Sequence, residues 1–353
     1  MIVAFSILVA LIVPSIILSA DHIAAIFKRY PGFERLEDYH FLLHSLAEDG
    51  PQKTSSANYS IAIIGGSTSR EAITSAKDIS ERLTKLSNRQ THVVDLTSSA
   101  QNLDTSVALA LHSLCSGADL AIIGINVARL ARENSPDRTQ VNFVKGYGLH
   151  IPPAALGALE IAQPSMEMAE RRFVTASLML LSKYLVRDAT GITLAGVSPR
   201  RIDIHYRHRY LHSQANEKAV SEVLHQNQAL HVEEFTASEN YFRALEVAAT
   251  WSKACGGSLL LLDTPLHPRL LSDPEYQPYA SAYRSYRQKI EAWAAEANIA
   301  FISMNDRNLL GAEDFIDFGH LRTRAGIEVS TKFIIEQIVS AKSVLAARVE
   351  DVR

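Results

Sequence analysis

The chain has 353 residues, of which 47% are hydrophobic and 21% charged, a globular composition with enough material for one large α/β domain or two smaller ones. Its formal net charge of -3 leaves no excess of Lys and Arg to displace counterions, so no nucleic-acid partner is expected. Two cysteines, Cys115 and Cys255, are too few for a disulfide framework and too far apart for a C-x-x-C metal or redox site, and composition leaves open whether they form one bond.

The first segment, residues 1–20, carries no charge and is almost entirely apolar. About 20 such residues match the hydrocarbon thickness of a bilayer. A buried core helix would normally show a polar face, and this segment has none. A cleaved signal peptide is the alternative, but the candidate site Leu18-Ser19-Ala20 places a bulky residue where a small one is needed. We therefore expect an uncleaved transmembrane anchor.

The orientation of this anchor is left open. Lys28, Arg29 and Arg35 follow the segment and nothing basic precedes it, which by charge alone keeps the rest of the chain inside. The family resemblance described below predicts the opposite side of the membrane. Residues 21–57 are predicted to form a polar connector with a helical stretch from Arg35 to Ala47.

The remaining chain alternates between strand and helix patterns. Short apolar runs without a polar face are typical of a parallel sheet that helices cover on both sides. The runs are Ile61–Ile64, His92–Leu96, Leu120–Ile123, Leu259–Leu262 and Ile299–Ile302. The helical patterns are Arg70–Ser87, Thr105–Ser116, Glu239–Cys255, Tyr279–Ala297 and Gly326–Val349. This alternation predicts a doubly wound α/β fold with a parallel sheet of about five strands.

The connection after the third strand is too long for this alternation of strands and helices. Roughly 110 residues separate the third strand from the next predicted helix, far more than a βα crossover needs. We predict a helical insertion at about residues 133–236, inside a domain that spans residues 58–348. It contains an apolar helical piece, Phe173–Val186, and a polar, histidine-rich piece, Arg200–His231.

The first candidate site is the segment Gly65-Gly66-Ser67-Thr68-Ser69-Arg70-Glu71, directly after the first strand. Glycines allow a sharp turn out of the strand, which would expose Ser67 at the start of a helix whose amides favour negative charge. Taken alone, the segment favours the simpler interpretation that Ser67 or Thr68 caps that helix. The segment is not a phosphate loop, because the Lys-Ser/Thr ending is missing.

There are two further candidate sites, one directly after the third strand and one just before the last helix. Asn126, in Gly124-Ile125-Asn126, has a side-chain amide suited to an oxyanion, although an Asn also serves turns and caps. Asp317 and His320, in Asp317-Phe318-Gly319-His320, supply from one loop the base that a hydroxyl nucleophile needs and the carboxylate that orients it.

In chain order these segments read strand-G-x-S, strand-G-x-N and D-x-x-H before the final helix, which resembles the SGNH/GDSL hydrolase family. The resemblance covers roughly residues 59–132 and 256–340. It implies a flavodoxin-like three-layer fold, with Ser67 as nucleophile, His320 as general base and Asp317 as its orienting partner. It also implies an oxyanion hole formed by the Ser67 N–H and the Asn126 side chain.

The chain departs from the family pattern at two places. Gly66 occupies the position where the family usually has Asp before the nucleophile. The family's second block has a Gly after the second strand, where this chain has Thr97-Ser98-Ser99-Ala100-Gln101. A backbone N–H of Ser99 or Ala100 would serve as the third oxyanion donor, since that donor is main-chain.

A fourth cluster consists of His205, His208 and His212, spaced as along one helix face. Cationic neighbours surround it and it contains no carboxylate, so we predict a solvated surface and neither a metal site nor a cofactor.

The resulting expectation is a membrane-anchored, extracytoplasmic serine-dependent acyl-ester hydrolase or O-acyltransferase. The resemblance implies acetyl groups on cell-surface polysaccharide as a substrate class, and a membrane acyltransferase is a candidate partner. Two alternatives stay open: a non-catalytic glycan-binding or scaffold protein on the same fold, and a lipid-ester hydrolase with the apolar insertion as a lid.

Overall fold

The structure is a computed structural model that describes residues 58–98, 101–126, 151–159, 211, 221, 240–306 and 308–350. The predicted anchor, the connector and the helical piece Phe173–Val186 lie outside the described residues, as does the histidine-rich piece apart from residues 211 and 221. None of the helices in the described ranges is both long enough and apolar enough to cross a membrane.

The chain divides into two compact units. The first comprises Met1–Gly50 and Asp137–Tyr206, and the second comprises Pro51–Pro136 and Arg207–Arg353. The described part of the first unit contains one short helix, α4, with prolines at its start. All the other elements belong to the second unit, which carries every predicted strand.

The helices and strands have the following bounds. The strands are β1 (Tyr59–Gly65), β2 (Thr91–Thr97), β3 (Leu120–Ile125), β4 (Ser258–Asp263) and β5 (Ala300–Ser303). The helices are α1 (Ser67–Glu71), α2 (Ala76–Ser87), α3 (Leu103–Cys115), α4 (Pro153–Ala158), α5 (Asn240–Ala254), α6 (Arg269–Ser272), α7 (Gln277–Ala297) and α8 (Arg324–Glu350).

The five strands form one sheet in which every pairing is parallel, in the order β2-β1-β3-β4-β5. Ile61 on β1 lies opposite Val93 on β2 and Leu120 on β3. The α/β fold with a five-stranded parallel sheet is therefore confirmed. Because the strands run the same way, their carboxyl ends share one edge, where open α/β sheets bind ligands.

Helices cover both faces of this sheet. Alternate residues of β1 point to opposite faces, and all of them are buried. Ile61 and Ile63 belong to a core cluster with Leu83 of α2 and Phe333 of α8. Helix α3 contacts β1 and β3, while α5 contacts α3 and β4. Since α3 and α5 contribute nothing to the α2–α8 cluster, they cover the other face.

Cys115 and Cys255 form a disulfide bond, with their Cα atoms 4.6 Å apart. Cys115 is the last residue of α3, and Cys255 directly follows α5. The bond therefore joins the ends of two helices that pack against each other and closes a sequence separation of 140 residues. The pairing that composition left open is present in the structure.

The predicted continuous helix Arg70–Ser87 is wrong, because the structure divides it into α1 and α2. Ser75 caps α2 by accepting a hydrogen bond from the backbone N–H of Asp78 at 3.0 Å. The preceding Thr74 donates its backbone N–H to Thr331 Oγ1 of α8 at 2.9 Å. The cap and this long-range bond together end the helical path that the local periodicity predicts.

Candidate active site

Ser67 lies at the strand-to-helix turn after β1, as the glycine pattern predicts. β1 ends at Gly65, Gly66 is the N-cap in extended conformation, and Ser67 is the first residue of α1. No side chain caps this helix, so the capping interpretation of Ser67 and Thr68 does not hold here. Ser67 is half-buried, which leaves part of its surface open to solvent.

Two glycines allow α1 to approach the sheet closely. A Cβ on Gly65 would lie 2.2 Å from Ser69 Oγ, and one on Gly124 would lie 2.0 Å from the same atom. The buried Ser69 side chain thus packs directly against the backbone of β1 and β3. This close approach fixes the position of α1, and with it that of Ser67.

Ser67, His320 and Asp317 form a continuous hydrogen-bonded chain. His320 Nε2 is 2.7 Å from Ser67 Oγ, and His320 Nδ1 is 2.7 Å from Asp317 Oδ2. Ser67 and His320 are 253 residues apart in sequence, so the fold brings them together. The arrangement has the geometry of a nucleophile, a base and an orienting carboxylate.

The Asp317 carboxylate is held in its ionised form by its own loop. Its Oδ1 accepts the backbone N–H groups of Gly319 at 3.0 Å and His320 at 2.9 Å. Burial acts to raise the pKa of Asp317, but the hydrogen bonds from His320 and from these amides outweigh it, and the pKa lies below its ordinary value. An ionised Asp317 favours a proton on His320 Nδ1, which makes Nε2 the acceptor of a hydrogen bond from the Ser67 hydroxyl.

The Asp317–His320 loop is closed by a short antiparallel bridge between Phe315 and Leu321. Ile316 N–H donates to the carbonyl of His320 at 3.0 Å. Phe315 and Leu321 are buried, and they pack with Ile327 at the start of α8 in a second core cluster. The triad loop is therefore anchored to the helix that follows it.

Asn126 directly follows β3 and lies beside α1. Its Nδ2 donates to Thr68 Oγ1 at 3.1 Å, and Thr68 Oγ1 lies 3.4 Å from Thr264 Oγ1. Thr264 donates its own hydroxyl proton to the Ile125 carbonyl at 3.1 Å, so Thr68 is the donor between the two hydroxyls. This directed chain orients the Asn126 amide next to the residue that follows Ser67.

The predicted oxyanion donors are placed in part. The Ser67 N–H belongs to the first residue of α1, a position whose amide ordinarily has no intrahelical acceptor and can bind negative charge. Ser99 and Ala100 lie outside the described residues. Ser98, which precedes them, donates its backbone N–H to the Gly65 carbonyl at 2.9 Å, and this bond joins the end of β2 to the turn that carries Ser67.

A buried polar network around Asp263, the last residue of β4, also supports the site. The motifs did not indicate it. Asp263 Oδ2 accepts hydrogen bonds from Tyr283 at 2.5 Å, Ser303 at 2.7 Å and Asn305 at 3.1 Å. Burial raises the pKa of Asp263 to about 6, although these bonds oppose the shift. Three donors on one carboxylate oxygen fix the end of β4 relative to β5 and α7.

Asn305 extends this network to the triad loop. Its Nδ2 donates to the Thr264 carbonyl at 3.0 Å, and its Oδ1 accepts the Leu266 N–H at 2.8 Å. The adjacent His267 donates its backbone N–H to the Phe318 carbonyl at 2.8 Å. The segment after β4 is thereby held at both ends against the loop that carries Asp317 and His320.

Arg70 and Glu71 form a second feature that the motifs did not indicate. Arg70 Nη2 lies 3.1 Å from Glu71 Oε1, and the two side chains are only 2% and 0% exposed. Burial raises the pKa of Glu71 to about 7, opposed by the charges of His320 and Arg70. A signal existed in the sequence, since Glu71 follows Ser67 by one helical turn, but a charged pair on a helix ordinarily indicates an exposed surface.

Within the described ranges, no cluster of His, Cys, Asp and Glu is arranged to hold a metal ion. The histidines predicted to form a solvated surface, His205, His208 and His212, lie outside those ranges.

Comparison with known proteins adds no family assignment: no protein-family model matches this chain, and no curated protein is significantly similar to it. The resemblance to SGNH/GDSL hydrolases therefore stays a prediction from the sequence motifs.

Proposed function

We propose that this protein is a serine-dependent acyl-ester hydrolase or O-acyltransferase of the SGNH/GDSL kind. The observation that carries the proposal is the Ser67–His320–Asp317 chain, with both hydrogen bonds at 2.7 Å. The strand order 2-1-3-4-5 supports the finer description of the fold, because it is the flavodoxin-like order. The position of the site, at the carboxyl ends of the strands, agrees with that description.

The proposed reaction begins when Ser67 Oγ attacks the carbonyl carbon of an ester while its proton passes to His320 Nε2. Asp317 stabilises the imidazolium that forms. The carbonyl oxygen becomes an oxyanion, which the Ser67 N–H and the Asn126 amide are proposed to bind. Collapse of this intermediate breaks the ester bond, and the departing alcohol takes the proton from His320.

The second half of the reaction decides between hydrolase and transferase. Water, or a sugar hydroxyl, gives its proton to His320 and attacks the acyl group on Ser67. The new tetrahedral intermediate then releases the acid or the new ester and returns the proton to Ser67. We propose acetyl groups on cell-surface polysaccharide as substrates, as the family resemblance implies, and a membrane acyltransferase as a candidate partner.

The proposed location is the extracytoplasmic side of a membrane, with residues 1–20 as anchor. The Cys115–Cys255 bond supports this location, since such bonds persist in oxidising compartments and are rare in the cytosol. Removal of residues 1–20 should release the protein into the soluble fraction. Continued sedimentation with membranes after a high-salt wash would show that another part of the chain holds it there.

Labelling with a fluorophosphonate probe tests the enzymatic proposal. Wild-type protein should be labelled on Ser67, and Ser67→Ala should abolish labelling. Ser285→Ala is the matched control, because it removes a hydroxyl from an exposed position on α7 and should leave labelling unchanged. Substituting His320 by Ala should slow labelling strongly, since the base would be lost.

Two outcomes would contradict the proposal. Labelling that persists in Ser67→Ala, or that maps to Ser69, would remove Ser67 as the nucleophile. Wild-type protein that is folded and resists the probe would instead favour the non-catalytic glycan-binding or scaffold protein, for which the altered segment Thr97–Gln101 is the supporting feature. The lipid-ester alternative predicts labelling at Ser67 together with faster turnover of long-chain than of acetyl esters.

A further inference from the structure

Two buried threonines, Thr68 and Thr264, have no assigned part in the reaction described above, although both lie beside the site. Thr68 directly follows Ser67 and is 5% exposed, and Thr264 directly follows β4 and is 0% exposed. Burying a hydroxyl is costly unless it is hydrogen-bonded, and a valine would fill the same space without that cost. The two hydroxyls therefore indicate a role for the hydrogen bonds that they form.

These hydrogen bonds run in one direction. The Ile125 carbonyl can only accept, so Thr264 Oγ1 gives it its single proton at 3.1 Å. Thr264 Oγ1 is then the acceptor for Thr68 Oγ1, which lies 3.4 Å away. Because its proton is directed to Thr264, Thr68 Oγ1 presents its lone pairs to Asn126, whose Nδ2 donates to it at 3.1 Å. A backbone carbonyl thus sets the direction of this threonine relay, formed by Thr264 and Thr68.

The direction of the relay decides which end of the Asn126 amide faces α1. A carboxamide has an N–H end that donates and a carbonyl end that accepts, and a half-turn of the side chain exchanges the two. Since Thr68 Oγ1 is an acceptor, it binds the Nδ2 end. An oxyanion needs the same end, because a carbonyl oxygen would repel its charge. The relay therefore favours the one amide orientation that can serve the proposed reaction.

The surrounding backbone holds both threonines in place. Thr264 donates its N–H to the Ile125 carbonyl at 2.9 Å, and its own carbonyl accepts Asn305 Nδ2 at 3.0 Å. A Cβ added to Gly319 would lie 3.1 Å from Thr68 Cγ2, so the Thr68 methyl group lies close against the triad loop. Thr68 therefore links α1 to that loop through its methyl group and to the ends of β3 and β4 through its hydroxyl.

We propose that Thr68 and Thr264 are positioning residues of the proposed oxyanion hole: their hydroxyl relay holds the Asn126 amide with its N–H end, and not its carbonyl end, turned to the site. The inference rests on the proposed function, because it needs Asn126 as an oxyanion donor. Thr264 acts through Thr68 and Asn126 and is assigned no contact with reacting atoms.

Thr264→Val tests the relay at its end farther from Ser67. Valine keeps the branched shape and the backbone bond to Ile125, but Thr68 loses its acceptor, and its proton can turn to the carbonyl end of Asn126. We expect fluorophosphonate labelling at saturating probe to slow about tenfold, as for loss of one neutral hydrogen bond, with the probe's apparent affinity unchanged. Thr264→Ser keeps the hydroxyl and should retain most of the rate. Equal rates in the two variants would overturn the inference.

A double-mutant cycle separates positioning from a general structural effect. Asn126→Ala removes the proposed oxyanion donor and should slow labelling about 100-fold. Adding Thr264→Val to Asn126→Ala should then change the rate by less than about twofold, because the relay has no amide left to orient. A further loss of about tenfold would show that Thr264 acts independently of Asn126 and would overturn the inference. Wild-type labelling by Asn126→Ala would overturn it as well.

Thr68→Val covers the case in which Thr264→Val fails to fold. It keeps a methyl group toward Gly319 and removes the acceptor of Asn126 directly, so it should slow labelling at least as much as Thr264→Val. Thr68→Ser keeps that acceptor and should label faster than Thr68→Val, and the reverse order would contradict the relay. Failure of the proposed function is distinguishable from these results, because it would appear in wild-type protein as labelling that does not depend on Ser67.

Discussion

Substitution of Gly124 by Ala should reduce activity more than stability. The new Cβ would lie 2.0 Å from Ser69 Oγ, 2.9 Å from Ser69 Cβ and 3.2 Å from Thr264 Cγ2. Rotation of the Ser69 hydroxyl would relieve the first contact and leave the second. Real Cβ atoms essentially never lie within 3.0 Å of another heavy atom, so α1 must move away from β3.

The expected cost has two parts. Overpacking of a buried contact lowers the free energy of unfolding by about 1–3 kcal/mol. A displacement of about 1 Å would carry Ser67 away from His320 and stretch a bond that is now 2.7 Å long. A misplacement of that size costs on the order of 100-fold in rate. We therefore expect a folded variant with fluorophosphonate labelling slowed about 100-fold.

The assay pairs labelling kinetics with unfolding in urea. Gly157→Ala is the matched control, because a Cβ there meets no atom within 4 Å and should change neither measurement. Adding Ser69→Gly to Gly124→Ala removes the clashing side chain and should recover part of the labelling rate. Wild-type labelling by Gly124→Ala alone would refute the view that packing of α1 against the sheet positions the nucleophile.

Three other features of the fold and the site are also testable: the disulfide bond, the bonds of Asn305 and the burial of Glu71. Replacing Cys115 and Cys255 by Ala should lower the free energy of unfolding by up to about 5 kcal/mol, since the bond closes a 140-residue separation; an unchanged urea midpoint would contradict this pairing. Asn305→Ala removes the bonds that hold Thr264 and its neighbours, and should slow labelling about tenfold with the probe's apparent affinity unchanged. A change in affinity alone would argue against a role of Asn305 in positioning the site. Burial raises the pKa of Glu71 to about 7 in the folded state. The protonated carboxyl therefore contributes its full stabilisation below the unfolded pKa of about 4.3, and this contribution is lost as pH rises through 7. In urea, the free energy of unfolding of Glu71→Gln should decline less than that of wild type over this pH interval, and an equal decline would refute the raised pKa of Glu71.

The sequence predicted the elements that depend on local pattern. Apolar runs without a polar face identified all five strands; the structure extends the first four by two or three residues each and shifts the fifth by one residue. Gly65 and Asn126 were placed at strand ends because glycine and a turn residue interrupt the apolar run there. Parallel strands then bring their carboxyl ends to one edge, which is why Ser67 and Asn126 could be expected near each other before any contact was known.

The sequence could not predict what depends on distant partners. The break between α1 and α2 involves Thr331, which is 257 residues from Thr74. Thr264 carries no motif, and its role appears only through the bond to Ile125 and its closeness to Thr68. Glu71 would be read as a solvated charge by its residue type, whereas the fold buries it. Each of these depends on packing that brings remote segments together, and periodicity contains no such information.

The proposed reaction requires that Ser67 form a covalent acyl-enzyme. Rapid mixing with p-nitrophenyl acetate, followed by acid quench and peptide mass analysis, tests it directly. We expect a burst of p-nitrophenol equal to the enzyme concentration and one acetyl group on the peptide that contains Ser67, with both absent in Ser67→Ala. Release of p-nitrophenol at the wild-type rate from Ser67→Ala, or acetyl groups located only on other residues, would contradict the proposed mechanism.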